Sequence, residues 1–189
     1  MTRLAVFASG NGSNFEALAN ACASGKVAAK IAVLITDCEN AYALERAKRL
    51  GIDGVFVDPK AFPTKKAMEQ KMLEILKQYQ AEWVCLAGYM RIVGETLREA
   101  YPDKIVNIHP ALLPAFKGAH AIRDAYCYGV KVTGVTVHLI DDQIDCGKIV
   151  MQRAVDIDGL TLEETEAKIH ETEHRLYADA LNRLLEGKV

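Results

Sequence analysis

The chain has 189 residues, half of them hydrophobic, which suits one folded domain with a real core and argues against disorder. Its 23 basic and 25 acidic side chains nearly balance, so the strongly basic face of a nucleic-acid-binding protein is not expected. The five cysteines form no C-x-x-C pair, so disulfides are not expected. No apolar stretch approaches the roughly 20 residues of a membrane span, so no membrane partner is expected. No secretory signal precedes the first strand, and we therefore predict a cytoplasmic protein.

Strand-like and helix-like patterns alternate as far as residue 108. Short apolar runs typical of buried strands lie at residues 4–8, 31–36, 55–57, 83–87 and 105–108. Helical spacing of apolar residues lies between them, from Ser13 to near Gly25, at residues 42–50, after Pro63 and before Tyr101. Ser13 is expected to cap the first helix. Arg46, Lys48 and Arg49 close the second helix, where cations favour the negative end of the helix dipole.

The pattern changes after Pro114, where two strand-like runs follow each other without a helix. Residues 133–139 and 149–155 predict an antiparallel hairpin at one side of the sheet. The acidic loop, residues 141–147, joins the two runs.

Residues 161–185 predict one long closing helix, which begins with a capping box formed by Thr161 and Glu164. We therefore predict an α/β fold: a single doubly wound, mostly parallel sheet flanked by helices, with an antiparallel hairpin and a long C-terminal helix. No repeat or linker interrupts the chain, so one domain is expected to cover residues 1–189.

An amide and an imidazole end the fifth predicted strand. Asn107 and His109 are two residues apart, so both point to one face of the strand, and Pro110 ends the strand directly behind them. Open parallel α/β sheets place their chemistry at this carboxyl end. Together with the carboxylate of Asp145, the pair could stabilise an oxyanion and move protons during acyl transfer. The alternative is that Asn107 and His109 only end a strand and satisfy a loop.

The glycine turn, residues 9–14 (SGNGSN), joins the first strand to the first helix. Its free N–H groups and the helix N-terminus behind it form a ready anion site. It begins like the dinucleotide motif G-x-G-x-x-G, and Asp37 lies where a ribose-binding acid would be, but Phe15 occupies the third glycine position. We interpret the turn as a phosphate-binding loop, with a dinucleotide site or a purely structural turn as alternatives.

The string HETEH at residues 170–174 matches the zinc motif H-E-x-x-H. On a helix, His170 and His174 share a face and could bind zinc, with Glu171 as general base. A catalytic zinc also needs a third ligand, and the extended form of the motif is absent. A surface helix rich in Glu, Lys and His forms this string by chance, so no metal site is predicted.

Several segments together resemble the phosphoribosylglycinamide formyltransferase family, folate-dependent enzymes of purine synthesis. They are the glycine turn, residues 86–92 (LAGYMRI), residues 107–114 (NIHPALLP), Val137-His138 and residues 145–147 (DCG), in this order. The resemblance covers essentially the whole chain, and the joint match is far more specific than any single motif. Ala111 departs from the usual Ser and Lys148 from a common Pro, but neither departure touches Asn107, His109 or Asp145.

The resemblance implies a Rossmann-like formyltransferase fold and transfer of a formyl group from the co-substrate 10-formyltetrahydrofolate to the amine of glycinamide ribonucleotide. Asn107 and His109 match the family's catalytic pair and would hydrogen-bond the developing oxyanion. Asp145 would hold the imidazolium and help to move protons. The implied partners are these two small molecules, without a metal.

The resemblance also implies binding residues. Asn11, Gly12, Ser13 and Asn14 match the turn that receives the substrate phosphate, and Glu173 matches a carboxylate that contacts the substrate ribose. The residues expected to bind the folate are Lys65, Met90, Arg91, Ile92, Val93, Asn107, Ile140, Asp141, Asp142 and Asp145.

Two further expectations concern the surroundings of Asp145. His120 and His138 match family positions, although a purely structural role is an equally good interpretation of either histidine. The three aspartates of the acidic loop crowd one turn, so like-charge repulsion is expected to oppose their ionisation, while His109 favours the ionised form of Asp145.

Four other functions fit parts of the sequence. Methionyl-tRNA formyltransferase would need an additional RNA-binding domain, and formyltetrahydrofolate hydrolase a regulatory domain before the first strand, so neither is expected. A zinc peptidase rests on His170 and His174 alone, and a non-catalytic nucleotide-binding module on the glycine turn alone. Neither explains Asn107, His109 and Asp145.

Overall fold

A computed structural model describes residues 1–188, and Val189 lies outside this range. The strands of the described part are β1 (Thr2–Phe7), β2 (Ala29–Thr36), β3 (Gly54–Phe56), β4 (Trp83–Leu86), β5 (Ile105–His109), β6 (Val132–Leu139) and β7 (Ile149–Asp156). Its helices are α1 (Ser13–Ala23), α2 (Tyr42–Leu50), α3 (Lys65–Gln78), α4 (Glu95–Ala100), α5 (Ala121–Tyr128) and α6 (Leu162–Leu185).

The strands form one sheet in the order β3-β2-β1-β4-β5-β6-β7. β1 pairs in parallel with β2 and β4, β2 pairs in parallel with β3, and β6 pairs antiparallel with β7. The chain moves outward from β1 to β3 and then returns to β4 on the other side of β1, so the strand order reverses between β1 and β4. The predicted α/β class, the mostly parallel sheet, the hairpin and the long closing helix are confirmed.

The chain divides into two compact units, Met1–Val106 and a second unit that begins at Asn107. The single catalytic domain over residues 1–189 stays a prediction.

In the first unit, β1 has the continuous apolar run of an interior strand. Its side chains are fully buried from Leu4 to Phe7, as expected where helices cover both faces of a parallel sheet. α3 begins where the Thr64 hydroxyl accepts a hydrogen bond from the Ala67 N–H at 3.1 Å. The side chains that α3 buries at helical spacing are Met68, Met72, Ile75 and Leu76.

In the second unit, α6 packs on the β6–β7 hairpin. The predicted capping box is confirmed: Thr161 Oγ1 accepts from the Glu164 N–H at 3.2 Å, and Glu164 Oε2 accepts from the Thr161 N–H at 2.8 Å. The fully buried face of α6 includes Ile169, Leu176, Tyr177 and Leu181.

One expectation about the helices was wrong, and one helix was missed. Ser13 does not cap α1, because Gly12 is the N-cap residue, in the left-handed conformation, and no side chain caps this helix. α5 was not predicted at all, since its buried residues are only Ala121 and Ala125, which give little apolar periodicity.

Gly12 is required both by its backbone conformation and by its surroundings. Its φ is +75°, and an added Cβ would lie 2.6 Å from the Cβ of Ala43. Gly25 has a φ of +76° but nothing within 4 Å of its added Cβ. The two glycines therefore share the left-handed conformation but differ in burial and in the space beside the backbone.

We expect Gly12→Ala to lower the free energy of unfolding by about 2–4 kcal/mol, from the backbone strain and the overpacking together. Gly25→Ala carries only the backbone strain and should cost about 1–2 kcal/mol. Urea denaturation of both variants checks this. Equal losses would show that the contact with Ala43 is relieved without cost.

Candidate active site

Asn107 and His109 lie at the carboxyl end of β5, as predicted. His109 is buried and Asn107 is partly exposed. Asn107 Nδ2 lies 3.1 Å from His138 Nε2. His138 Nδ1 lies 2.9 Å from the Leu139 carbonyl, which can only accept, so Nδ1 carries a proton. A ring without a second proton accepts from Asn107 through Nε2, whereas a doubly protonated ring turns an Nε2–H toward Asp145.

His109 is held between a carbonyl and a carboxylate. Its Nε2–H donates to the Phe116 carbonyl at 2.8 Å, and its Nδ1 lies 3.5 Å from Asp145 Oδ2. A neutral ring with its proton on Nε2 turns the Nδ1 lone pair toward Asp145, whereas a protonated ring turns an N–H toward it. Asp145 therefore lies where it can accept a hydrogen bond from a protonated His109 ring.

Asp145 joins the two histidines. Its Oδ1 lies 3.6 Å from His138 Nε2, and its Oδ2 accepts from the Gly118 N–H at 2.9 Å. Its side chain is only 11% exposed. The interaction with His138, the Gly118 N–H and the charge of His109 outweigh the opposing effect of burial and lower the pKa of Asp145 to about 2.

That low pKa corrects the expectation of like-charge crowding for Asp145. The partners of this carboxyl are histidines and a backbone N–H, which favour the ionised form, and what opposes ionisation is burial and not a neighbouring aspartate. Asp142 is exposed, and Asp141 Oδ1 accepts from the Gln143 N–H at 2.9 Å, which closes a local turn. The proximity of the three aspartates in the sequence did not show that each has different surroundings.

The acidic loop is closed at its base by the backbone. The Leu139 N–H donates to the Lys148 carbonyl at 2.9 Å, and an added Cβ on Gly147 would lie 1.9 Å from the Leu139 oxygen. Only glycine fits this close approach. At the other side, Lys117 Nζ lies 2.7 Å from Cys146 Sγ. Ile140 and Asp141, both expected to bind folate, are partly exposed.

Sequence reasoning missed the contribution of His138. It is fully buried, and its ring contacts both Asn107 and Asp145. The match of Val137-His138 to the family was the available signal, but only the structure shows which partners the ring has. His120, the other histidine matched to the family, is exposed at the start of α5.

In the first unit, the glycine turn follows β1, and residues 90–93 follow β4. The strand order reverses between these two strands, and open α/β sheets bind ligands outside the carboxyl ends of the strands at such a point. No side chain caps α1, so the N–H groups of its first turn are not taken by a capping side chain. The geometry suits an anion at the glycine turn.

Arg46 holds the glycine turn in place. Its Nε donates to the Asn11 carbonyl and its second terminal nitrogen to Asn11 Oδ1, both at 2.8 Å, and it also pairs with Glu16. The helix-dipole explanation of the basic cluster was therefore wrong for Arg46, although Lys48 and Arg49 do lie in the last turn of α2. This contact was not visible in the sequence.

The residues expected to bind folate in the first unit differ in exposure. Met90 and Ile92 are exposed and Val93 is buried, and the Val93 carbonyl accepts from Arg98 at 2.9 Å. Lys65 is exposed at the first position of α3.

The zinc-like string has other partners. His170 Nδ1 lies 2.7 Å from the Oε2 of the buried Glu173, and Glu171 pairs with Arg175. The hydrogen bond to Glu173 raises the pKa of His170, which opposes metal binding because a ligating histidine must lose this proton. No cluster of three metal-ligating side chains occurs within residues 1–188.

We expect exhaustive dialysis against a chelator to leave catalytic turnover unchanged, because neither His170 nor Glu171 is free to hold a catalytic zinc. Turnover before and after dialysis, with elemental analysis of both samples, checks this. Activity that disappears with stoichiometric zinc and returns when zinc is added back would contradict the expectation.

No helix of the part of the chain that the structure describes has the length and apolarity needed to cross a membrane.

The chain is similar to known proteins over almost its whole length. Residues 2–181 match the family model described as Formyl transferase. A phosphoribosylglycinamide formyltransferase of Bacillus subtilis (strain 168) is 45% identical over 186 residues, which are 98% of this chain and 95% of that protein.

Two crystal structures have the same fold. Glycinamide ribonucleotide transformylase 1 from Symbiobacterium toebii matches with a TM-score of 0.96 and 43% identity, over 99% of this chain and 89% of that one. Glycinamide ribonucleotide transformylase 1 from Geobacillus kaustophilus matches with a TM-score of 0.95 and 48% identity, over 98% of this chain and 99% of that one.

Proposed function

Because the chain belongs to the formyl transferase family, we propose that it transfers a formyl group from 10-formyltetrahydrofolate to the amine of glycinamide ribonucleotide in purine biosynthesis. The observation that carries this proposal is the cluster of Asn107, His109 and Asp145 in a chain 45% identical to a phosphoribosylglycinamide formyltransferase. The folate is a co-substrate, and the reaction uses no metal. One catalytic domain, a cytoplasmic location and the lack of nucleic-acid and membrane partners complete the proposal.

The reaction needs a donor for an oxyanion and a route for protons. The amine attacks the formyl carbon, a C–N bond forms, and negative charge develops on the formyl oxygen. The second hydrogen of the Asn107 Nδ2 group would donate to this oxygen. The His109 Nε2–H would also donate to it, in exchange for its bond to the Phe116 carbonyl. The bond from the carbon to the folate nitrogen then breaks, and that nitrogen takes up a proton as tetrahydrofolate leaves.

Asp145 would pair with the imidazolium that His109 forms when it takes up a proton. Its carboxylate is ionised across the physiological range, because its pKa is lowered to about 2, and it faces His109 Nδ1 at 3.5 Å. The carboxylate is thereby placed to accept from the Nδ1–H of a protonated His109 ring. Asp145 would also help to pass the proton lost by the attacking amine toward the leaving nitrogen.

The ribonucleotide would bind through its phosphate and its ribose. The phosphate would bind to backbone N–H groups at the uncapped start of α1, where the helix dipole favours a dianion. These N–H groups belong to Asn11, Gly12, Ser13 and Asn14. Glu173 would accept from a ribose hydroxyl, and its bond to His170 keeps the carboxylate oriented.

Arg46 gives a test of the phosphate site. We expect Arg46→Met to weaken ribonucleotide binding about tenfold or more and to leave folate binding nearly unchanged, because Asn11 loses two charge-assisted hydrogen bonds. Arg49→Met is the matched control: Arg49 contacts the same Tyr42 ring and Glu16 but does not contact Asn11. Calorimetric titration of both variants with each ligand measures the four affinities. If Arg46→Met loses as much folate affinity as ribonucleotide affinity, the glycine turn is not the phosphate site.

The folate would be bound by two groups of residues. In the first unit these are the backbone of residues 90–93 and the exposed Lys65, whose charge suits the glutamate tail. In the second unit they are Asn107, Asp145 and residues 140–142, where backbone carbonyls of the closed acidic loop would accept from the N–H groups of the pterin.

The reaction itself tests the function. Pure protein is incubated with 10-formyltetrahydrofolate, and the release of tetrahydrofolate is followed with and without glycinamide ribonucleotide. We expect release only when the ribonucleotide is present. Release without any acceptor would indicate a hydrolase, and release that requires methionyl-tRNA instead would indicate the tRNA formyltransferase.

A further inference from the structure

Asp37 lies just beyond the carboxyl end of β2, and the proposed function gives it no role. The resemblance of the glycine turn to a dinucleotide motif suggested a ribose-binding acid at this position, but both carboxylate oxygens have partners in the protein. Asp37 Oδ1 accepts from the Ser9 hydroxyl at 2.5 Å, and Oδ2 accepts from Arg91 Nε at 2.8 Å. The side chain of Asp37 is only 6% exposed.

Ser9 extends this contact to a second backbone. Its hydroxyl oxygen accepts from the Met90 N–H at 2.9 Å, and its own N–H donates to the Gly88 carbonyl at 3.0 Å. Ser9 opens the glycine turn, whereas Met90 and Arg91 open the segment that follows β4. The Asp37 carboxylate thus bonds directly to Ser9 in the glycine turn and to Arg91 in the segment after β4. Ser9 in turn accepts from the Met90 N–H, which adds an indirect connection to the same segment.

The hydrogen bonds that Asp37 accepts are of a strong kind. A hydrogen bond in which one partner is charged, such as the one from the Arg91 guanidinium, is shorter and stronger than a neutral one. Loss of the Asp37 acceptor also affects the Ser9 hydroxyl and the Cys38 thiol, whose Sγ lies 3.8 Å from Oδ1. The two segments follow β1 and β4, the strands between which the strand order reverses. Asp37 therefore makes hydrogen bonds to both of these segments.

We propose that Asp37 is a positioning residue that couples the ribonucleotide loop to the folate segment, so that either ligand, by fixing its own segment, prepares the other segment for binding. This inference rests on the proposed function, because it takes the glycine turn as the phosphate site and residues 90–93 as part of the folate site. Asp37 would act through Ser9 and Arg91, because its two carboxylate oxygens are bonded to them. Coupling of this kind is reciprocal: each ligand changes the affinity of the other by the same factor.

Calorimetry measures the coupling directly. Glycinamide ribonucleotide is titrated into the protein with and without saturating tetrahydrofolate, which carries no formyl group and so cannot react, and the reverse titration is also made. In the wild-type protein we expect each ligand to tighten the other about fivefold or more. In Asp37→Asn, which keeps the size of the side chain but loses its charge and one acceptor, each ligand alone should bind about tenfold more weakly. The coupling factor should fall to about one.

Asp53→Asn is the matched control. It removes an exposed carboxylate of the same unit that accepts a hydrogen bond from the Tyr79 hydroxyl, and it should keep the wild-type coupling factor. Ser9→Ala is the second variant, read in place of Asp37→Asn if circular dichroism shows that Asp37→Asn is unfolded. It removes the hydroxyl that joins Asp37 to Met90 and should also abolish the coupling.

The outcomes separate the two proposals. Wild-type protein that binds neither ligand would contradict the proposed function. Wild-type protein that binds both ligands without coupling, or a folded Asp37→Asn or Ser9→Ala variant that keeps the wild-type coupling factor, would overturn the role of Asp37 and leave the proposed function intact. Loss of coupling in these variants, with coupling kept in Asp53→Asn, supports the inference.

Discussion

Replacing Asn107 or His109 by Ala should lower kcat for formyl transfer by about two to four powers of ten while the protein stays folded. Each change removes one donor to the developing oxyanion, and loss of such a donor from a preorganised site is one of the largest single effects known in catalysis. The two donors are held by different contacts, Asn107 by His138 and His109 by Phe116 and Asp145. Each change therefore removes a different set of direct contacts.

Steady-state kinetics with circular dichroism of each variant checks this expectation. Asn40→Ala is the matched control for Asn107→Ala, because Asn40 is an exposed asparagine, and it should keep the wild-type kcat. If Asn107→Ala and His109→Ala both turn over within threefold of the wild type, the catalytic assignment is wrong.

Asp145→Asn should also lower kcat by about two to four powers of ten, because the amide no longer stabilises protonated His109. KM should change less than kcat, since the charge of the imidazolium matters most in the transition state. A variant that binds both ligands normally and turns over at the wild-type rate would show that Asp145 only holds the loop.

The same carboxyl should also affect the stability of the fold at acid pH. Its pKa is lowered from 3.8 to about 2 in the folded protein, so its stabilising contribution is complete above about pH 4 and is lost as the pH falls toward 2. The shift corresponds to about 2 kcal/mol of unfolding free energy. Asp145→Asn should lack this acid-dependent loss, whereas Asp142→Asn, in the exposed neighbour of the same loop, should keep it.

Urea denaturation at several pH values from neutral to about pH 2 measures this dependence. Parallel acid profiles for the wild type and Asp145→Asn would contradict the low pKa. Because Asp145 stays ionised in mild acid, any change of folate affinity between neutral and mildly acidic pH must come from other groups.

The sequence predicted best those elements whose ends carry local signals. α2 begins and ends as expected, because Gly51 takes the left-handed conformation that stops the helix, and the capping box of Thr161 and Glu164 starts α6. α1 begins instead at a left-handed glycine, so Ser13 was a misleading signal. α5 buries only two alanines, and such a helix has almost no periodic signal to detect.

The part of the candidate site that the sequence predicted is the part on β5, where the spacing of two residues along a strand determines that their side chains point to the same face. The alternation of side chains in β5 places Asn107 and His109 together, and both contact partners of the same small cluster. The partners that come from distant segments were not predictable in the same way. His138 and Arg46 are defined by tertiary contacts, and the low pKa of Asp145 depends on His138 and the Gly118 N–H.

The most direct test of the central claim follows the formyl group itself. The protein is given 10-formyltetrahydrofolate with an isotopically labelled formyl carbon, together with glycinamide ribonucleotide, and the products are analysed by mass spectrometry. We expect one labelled formyl group on the amine of the ribonucleotide for each tetrahydrofolate released, and no transfer above background with His109→Ala over the same time. Labelled formate in solution with an unmodified ribonucleotide would contradict the account.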